Sequence, residues 1–82
     1  MSHGLKQTAS IEAFDLTRLE LIGLTLVANG LGVSEIVTRL AMGEAEVDQT
    51  LLAAERKLGA GNRLHAITIA IKQGLIGIEV KG

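Results

Sequence analysis

At 82 residues, with 48% hydrophobic and 21% charged residues, the chain is expected to form one small globular domain whose limited core favours association with another chain. Its formal net charge of −1 leaves no surplus of lysine or arginine for nucleic-acid phosphates, and its single aromatic residue argues against the stacking platforms of RNA-binding modules. Because cysteine, a secretion signal and an apolar run of roughly 20 residues are all absent, we expect a cytoplasmic protein without disulfides, bound metal, cofactor or membrane contact.

The first predicted helix covers about residues 17–29 and follows an N-terminal extension, residues 1–15, that we expect to be partly mobile. Thr17 and Glu20 have the spacing of a capping box, in which each side chain accepts a hydrogen bond from the other residue's backbone amide. Gly30 supplies the left-handed residue that ends a helix. Apolar residues at three- and four-residue spacing predict one buried stripe: Leu21, Leu24, Ala28 and Leu31.

A second, shorter helix is expected over about residues 33–40, and a turn of three residues, 41–43, follows it. Its inward side chains are predicted to be Ile36, Val37 and Leu40. If Ala41 must adopt the left-handed conformation, the cost is roughly 1 kcal/mol. A glycine cap at Gly43 in place of a serine loses only about a few tenths of a kcal/mol. The short helix and tight turn therefore favour a helix-turn-helix.

Two longer helices complete the predicted domain, one over about residues 44–58 and one over about residues 62–73. The third helix is expected to bury Val47, Leu51, Ala54 and Leu58 and to expose Asp48, Gln49, Leu52 and Glu55. The fourth helix has more apolar positions than one buried stripe needs, so part of it should contact another chain. The residues predicted for that interface are Leu64, Ile67, Ile69 and Ile71. The tail, residues 77–82, follows an alternating pattern that resembles a short strand.

Two segments of the chain resemble the helix-turn-helix module of LuxR-type (GerE-like) bacterial transcription regulators. They are LTRLELIGLTLVANGLGVSEIVTRL, residues 16–40, and VDQTLLAAERKLGAGNRLHAITIAIKQGLI, residues 47–76. The resemblance implies an all-α, four-helix domain over residues 16–76, with a helix-turn-helix formed by the second and third helices. It also implies a structural ion pair between Glu20 and Arg63, and a role in transcription control.

In a helix-turn-helix, outward side chains near the start of the second helix of the pair enter the major groove of DNA. The residues at that surface here are Glu44, Glu46, Asp48, Gln49, Thr50 and Leu52. Residues 41–54 contain three acidic residues and no basic residue, a local charge of −3. Acids in a first helical turn also stabilise the helix dipole, so Glu44 and Glu46 have a structural explanation too.

Three hypotheses on function stay open at this point. The favoured one is that the acidic third helix contacts a protein partner, such as a fuller regulator, with weak or no DNA binding. The alternative is operator binding as a homodimer, with Asp48, Gln49 and Thr50 on bases and with phosphates bound by Arg39, Arg56 and Lys57. The third is dimerisation through the fourth helix as part of a larger assembly.

Enzymatic activity is not expected from this sequence. His3 and His65 are far apart and have no neighbouring acidic or cysteine ligands, so neither indicates a metal site or a general base. The serines have no histidine at the spacing of a catalytic motif, and the glycines near residue 30 follow a predicted helix without the lysine of a phosphate-binding loop.

Overall fold

The computed structural model describes residues 14–78, and within that range it contains four α-helices and no β-strand. The helices are α1 Arg18–Ala28, α2 Val33–Leu40, α3 Glu44–Lys57 and α4 Arg63–Lys72. Each predicted boundary lies within one residue of the observed one, so the all-α, four-helix prediction is confirmed. The predicted N-terminal extension lies outside the described residues except for 14 and 15. Residues 77 and 78, the described part of the predicted strand-like tail, have no regular secondary structure.

Helix α1 begins and ends at the residues that the sequence indicates. The Glu20 backbone N–H donates to Thr17 Oγ1 at 3.0 Å, and the Thr17 N–H donates to Glu20 Oε1 at 2.9 Å, which completes the capping box. At the other end Gly30 has a φ of 96°, a left-handed conformation that glycine adopts without steric cost. Both predicted ends of this helix are confirmed.

The turn between α2 and α3 places an alanine in the left-handed region. Ala41 has φ 55° and ψ 45°, as the unusual order of residues in the turn predicts. Gly43 is the N-cap of α3, and its backbone N–H donates to Glu46 Oε1 at 2.9 Å. Because glycine has no side chain, only this half of a capping box forms. The turn is short enough to keep α2 and α3 in contact.

Helix α3 is the central element of the fold, since it packs against all three other helices. Its inward residues are the four that the spacing predicts, Val47, Leu51, Ala54 and Leu58. Around them lie Leu24 of α1 and Ile36 of α2, both fully buried, together with three residues of α4: Ala66, Ile67 and Ala70. Full burial of a leucine or isoleucine side chain contributes about 1.5–3 kcal/mol, so this cluster holds α3 in place.

Gly23 allows α1 and α3 to approach closely. A Cβ atom at this position would lie 3.2 Å from Leu51 Cδ2, a tighter contact than side chains normally make.

None of the helices within residues 14–78 has both the length and the apolar character needed to cross a bilayer.

Candidate functional site

Helix α2, the turn at residues 41–43 and helix α3 form the helix-turn-helix unit. A line of exposed residues on α3 points away from the core, at intervals of four, three and four residues. We call this line the outer ridge, and it consists of Ala45, Gln49, Leu52 and Arg56. Successive residues of a helix are rotated by about 100°, so this spacing keeps the four side chains on one face. The outer ridge contains no carboxylate.

Two residues that were predicted to point outward lie on the flank of α3 instead. Asp48 and Glu55 are both half-buried, and they are seven residues apart, so they share one side of the helix. The prediction was wrong for these two because the buried face of α3 is wider than its four inward residues and partly includes these side chains. Gln49 and Leu52 are exposed as predicted, with Leu52 at 42%.

The acidic residues at the start of α3 differ in their contacts. Glu46 accepts the Gly43 N–H through Oε1, so its carboxylate helps to begin the helix. Thr50 is half-buried, and its hydroxyl donates to the Glu46 backbone carbonyl at 2.8 Å. Glu44 is exposed and has no hydrogen bond or ion pair within residues 14–78. One of the three acids in residues 41–54 therefore has a defined structural role.

Lys57 is one of the three residues predicted to contact phosphate, and it is engaged inside the domain. Its Nζ lies 2.9 Å from Glu20 Oε1 and donates to the backbone carbonyl of Asp15 at 3.1 Å. Glu20 is only 5% exposed, so removal of Lys57 would leave a nearly buried carboxylate without its cation. Lys57 is therefore not a free cation on the surface.

The predicted ion pair between Glu20 and Arg63 is wrong. Arg63 Nε instead lies 2.8 Å from Glu55 Oε2, while Glu20 pairs with Lys57. Glu20 faces the last turn of α3, whereas Arg63 at the start of α4 faces the half-buried flank of α3. Both ion pairs thus join α3 to a neighbouring helix, and one of them uses Lys57, a predicted phosphate contact.

Arg39 and Arg56 are the other two predicted phosphate contacts. Both are exposed, and neither guanidinium group has a hydrogen bond or ion pair with any residue that the structure describes. Arg56 lies on the outer ridge. Arg39 instead lines a shallow depression with Asn29 of α1 and Gly77 of the tail. The three predicted contacts therefore do not form one basic surface.

The predicted interface on α4 divides between the core and the surface. Leu64 is 75% exposed and Ile71 is 38% exposed, so both are available to another chain. Ile67 is 8% exposed and belongs to the core, and Ile69 is half-buried against it. Ile67 was wrongly assigned to an exposed face, because the apolar residues of α4 serve two faces and their spacing does not separate them.

His65 contributes to the start of α4. Its Nδ1 accepts the Gly61 N–H at 3.2 Å, and its own N–H donates to Asn62 Oδ1 at 2.8 Å. In the part of the chain that the structure describes, no group of three or more acidic or histidine side chains is placed to hold a metal ion.

One feature of the surface was not predicted from the sequence. A shallow groove runs between the start of α1 and the outer side of α3, and Leu19 lies at its edge with 39% exposure. Its other lining residues are Glu20, Met42, Glu46, Gln49, Thr50 and Ala53. Leu19 is an apolar residue outside the predicted buried stripe of α1. That departure from the pattern is the feature of the sequence that could have indicated the groove.

The fold and the site together define an all-α, four-helix domain with a helix-turn-helix unit. The chain is 38% identical to the Transcriptional regulatory protein YdfI of Bacillus subtilis (strain 168) over 64 aligned residues, and this alignment covers 78% of the chain and 30% of YdfI. It is 41% identical to the Response regulator RamR of Streptomyces coelicolor over 59 aligned residues, and that alignment covers 72% of the chain and 29% of RamR. The chain thus spans about three tenths of the length of these relatives. No protein-family model and no solved structure matches it significantly.

Proposed function

We propose that this chain is a LuxR-type helix-turn-helix protein that acts in transcription control through contact of α3 with a protein partner, and that it binds DNA weakly or not at all. The names of the two relatives, a transcriptional regulatory protein and a response regulator, support the part of the proposal that concerns transcription. The partner in this proposal is a fuller regulator, whose activity the chain modulates.

The observation that carries the proposal is the distribution of charge around α3. Residues 41–54 contain three acids and no base. Beyond them, Lys57 and Arg63 are held by Glu20 and Glu55 and so are not available to phosphates. Because most protein–DNA hydrogen bonds go to the phosphate backbone and sugars, a reading helix with one free arginine has too few cations to hold a duplex.

Exposed Leu52 supports protein contact in a second way. It lies in the middle of the outer ridge, between Gln49 and Arg56, with 42% of its surface exposed. Arginine is enriched among the residues that supply most of the energy of a protein interface, and the buried centre of an interface is more apolar than the rest of a protein surface.

A second candidate function is operator binding as a homodimer. The absence of carboxylates from the outer ridge favours it, because Gln49 can donate to and accept from an adenine edge while Arg56 remains free for phosphate or guanine. In this alternative the Glu46 carboxylate is held toward Gly43 at the start of α3, away from the outer ridge.

Titration of labelled duplex fragments distinguishes the two functions. We expect no saturable binding by fluorescence anisotropy between roughly 50 and 200 mM salt, because too few phosphates are neutralised. An Asp48→Lys variant, which reverses one flank charge, should increase duplex affinity at low salt if the scaffold is otherwise competent. Binding by the unaltered chain that weakens steeply with salt and is lost in Arg56→Ala would contradict the proposal and support the alternative.

Homodimerisation through α4 is a separate part of the proposal, and exposed Leu64 and Ile71 support it. Sedimentation equilibrium of Leu64→Glu and Ile71→Glu variants tests it. We expect the leucine and isoleucine variants to sediment as monomers. A dimer that persists in both variants would contradict this interface.

A further inference from the structure

The groove between α1 and α3 has an apolar part and one exposed carboxylate. Leu19, Met42 and Ala53 supply the apolar part, and none of the three is fully buried. Two charged residues line the groove, Glu20 and Glu46. Glu20 is only 5% exposed and is paired with Lys57, so Glu46 is the carboxylate that a partner can reach. We call this feature the α1–α3 groove.

A small apolar cavity lies directly beneath the α1–α3 groove. Leu19 and Met42 line both the groove and the cavity, together with Gly23, Leu40 and Leu51 on the cavity side. Methionine is flexible and adapts its shape to an incoming group at low cost. A shift of Met42 toward the cavity would therefore deepen the groove beside Leu19.

Glu46 is fixed in position at the edge of the groove. Its Oε1 accepts the Gly43 N–H at 2.9 Å, and this bond restricts the side chain to one orientation. The other carboxylate oxygen has no hydrogen bond with the described residues, so it is available to a cation. Since this carboxylate is already ordered, a partner that binds it loses less conformational entropy than it would with a free surface glutamate.

These features identify the chemistry of the occupant. A phosphate backbone or an acidic peptide would meet the like charge of Glu46 at the edge of this groove. An apolar side chain beside a lysine or arginine would fill the base and pair with Glu46. We propose that the α1–α3 groove binds a basic amphipathic helix of a protein partner, with an apolar side chain between Leu19 and Met42. This inference rests on the proposed function and adds the chemistry of the partner.

A synthetic peptide tests the groove directly. The probe is an amidated helix about four turns long, with leucines on one face and lysines on the others, labelled for fluorescence anisotropy. We expect saturable binding that moves the methyl signals of Leu19, Met42 and Ala53 in NMR spectra of the intact chain. A matched peptide with glutamate in place of lysine should not bind.

Two pairs of variants locate the binding site. Leu19→Ser should weaken the peptide about tenfold because it removes an apolar contact. Ile22→Ser, one turn further along α1 with nearly the same exposure but outside the groove lining, should change affinity less than about twofold. Glu46→Gln retains an acceptor for Gly43 and should weaken the peptide about threefold through loss of charge, while Glu44→Gln outside the groove should have a smaller effect.

The outcomes separate this inference from the proposed function. Absence of peptide binding, or an equal loss in the Ile22→Ser and Leu19→Ser variants, overturns the groove as a docking site. Salt-sensitive duplex binding that depends on Arg56 overturns the proposed function even if the peptide binds. An unchanged circular-dichroism spectrum of each variant shows that a loss of affinity is not a loss of fold.

Discussion

Leu51 and Leu52 are neighbours in α3, and they have opposite surroundings. Leu51 is fully buried against α1, while Leu52 is 42% exposed on the outer ridge. The inward face of α3 fixes the position of the helix, and the outer ridge takes no part in the core. Because the inward face packs in the core and the outer ridge does not, the charge of the ridge and its flanks can change while the helix-turn-helix stays folded.

Truncation of the two leucines gives the largest expected difference between the faces. Leu51→Ala should lower the free energy of unfolding by about 2–5 kcal/mol, because a fully buried leucine leaves a cavity. Leu52→Ala should change it by less than about 0.5 kcal/mol, as is usual for an exposed position. Urea denaturation followed by circular dichroism measures both. A similar loss of stability in the two variants would mean that the outer ridge is covered in solution.

Removal of Glu20 or Glu35 compares the stability that a glutamate contributes at a buried helix start with its contribution at an exposed one. Glu20 and Glu35 both accept the N–H of their N-cap residue, but Glu20 is nearly buried and also pairs with Lys57. Glu20→Ala should cost about 1–3 kcal/mol, below the upper range for buried ion pairs because Lys57 can regain contact with water. Glu35→Ala should cost less than about 1 kcal/mol, since it removes only a capping bond.

The same denaturation measurement applies to the two glutamate variants, and addition of salt sharpens the comparison. The loss in Glu20→Ala should persist at high salt, since a nearly buried pair is poorly screened. If Glu20→Ala proves no more harmful than Glu35→Ala, the Lys57 ion pair contributes nothing to stability, and Lys57 becomes available as a phosphate contact again.

Two alanines provide the smallest expected effects, and these have opposite signs. Ala41→Gly should raise the free energy of unfolding by about 0.5–1 kcal/mol, because glycine relieves the strain of the left-handed conformation. Ala45→Gly, on the exposed ridge within α3, should lower it by about the same amount through loss of helix propensity. Thermal unfolding of both variants checks the signs. A loss of stability in Ala41→Gly would mean that the turn relaxes from this conformation in solution.

The amino-acid sequence alone determined the helices, their ends and the inward face of α3. Thr17 with Glu20, Gly30 and the strain at Ala41 depend on atoms within a few residues of one another, and such local geometry follows directly from residue type and spacing. The periodicity of apolar residues in α3 likewise needs no knowledge of the other helices, because any partner must cover the same stripe.

Only the tertiary structure decided which charges meet and which side chains remain exposed. Glu20 faces Lys57 instead of Arg63, and Glu55 is turned toward α4, because these contacts depend on how far apart and at what angle the helices pack. Ile67 is buried and Leu64 is exposed for the same reason, although both are apolar residues of one helix. A charge distribution read along the chain therefore differs from the one that a partner encounters on the folded surface.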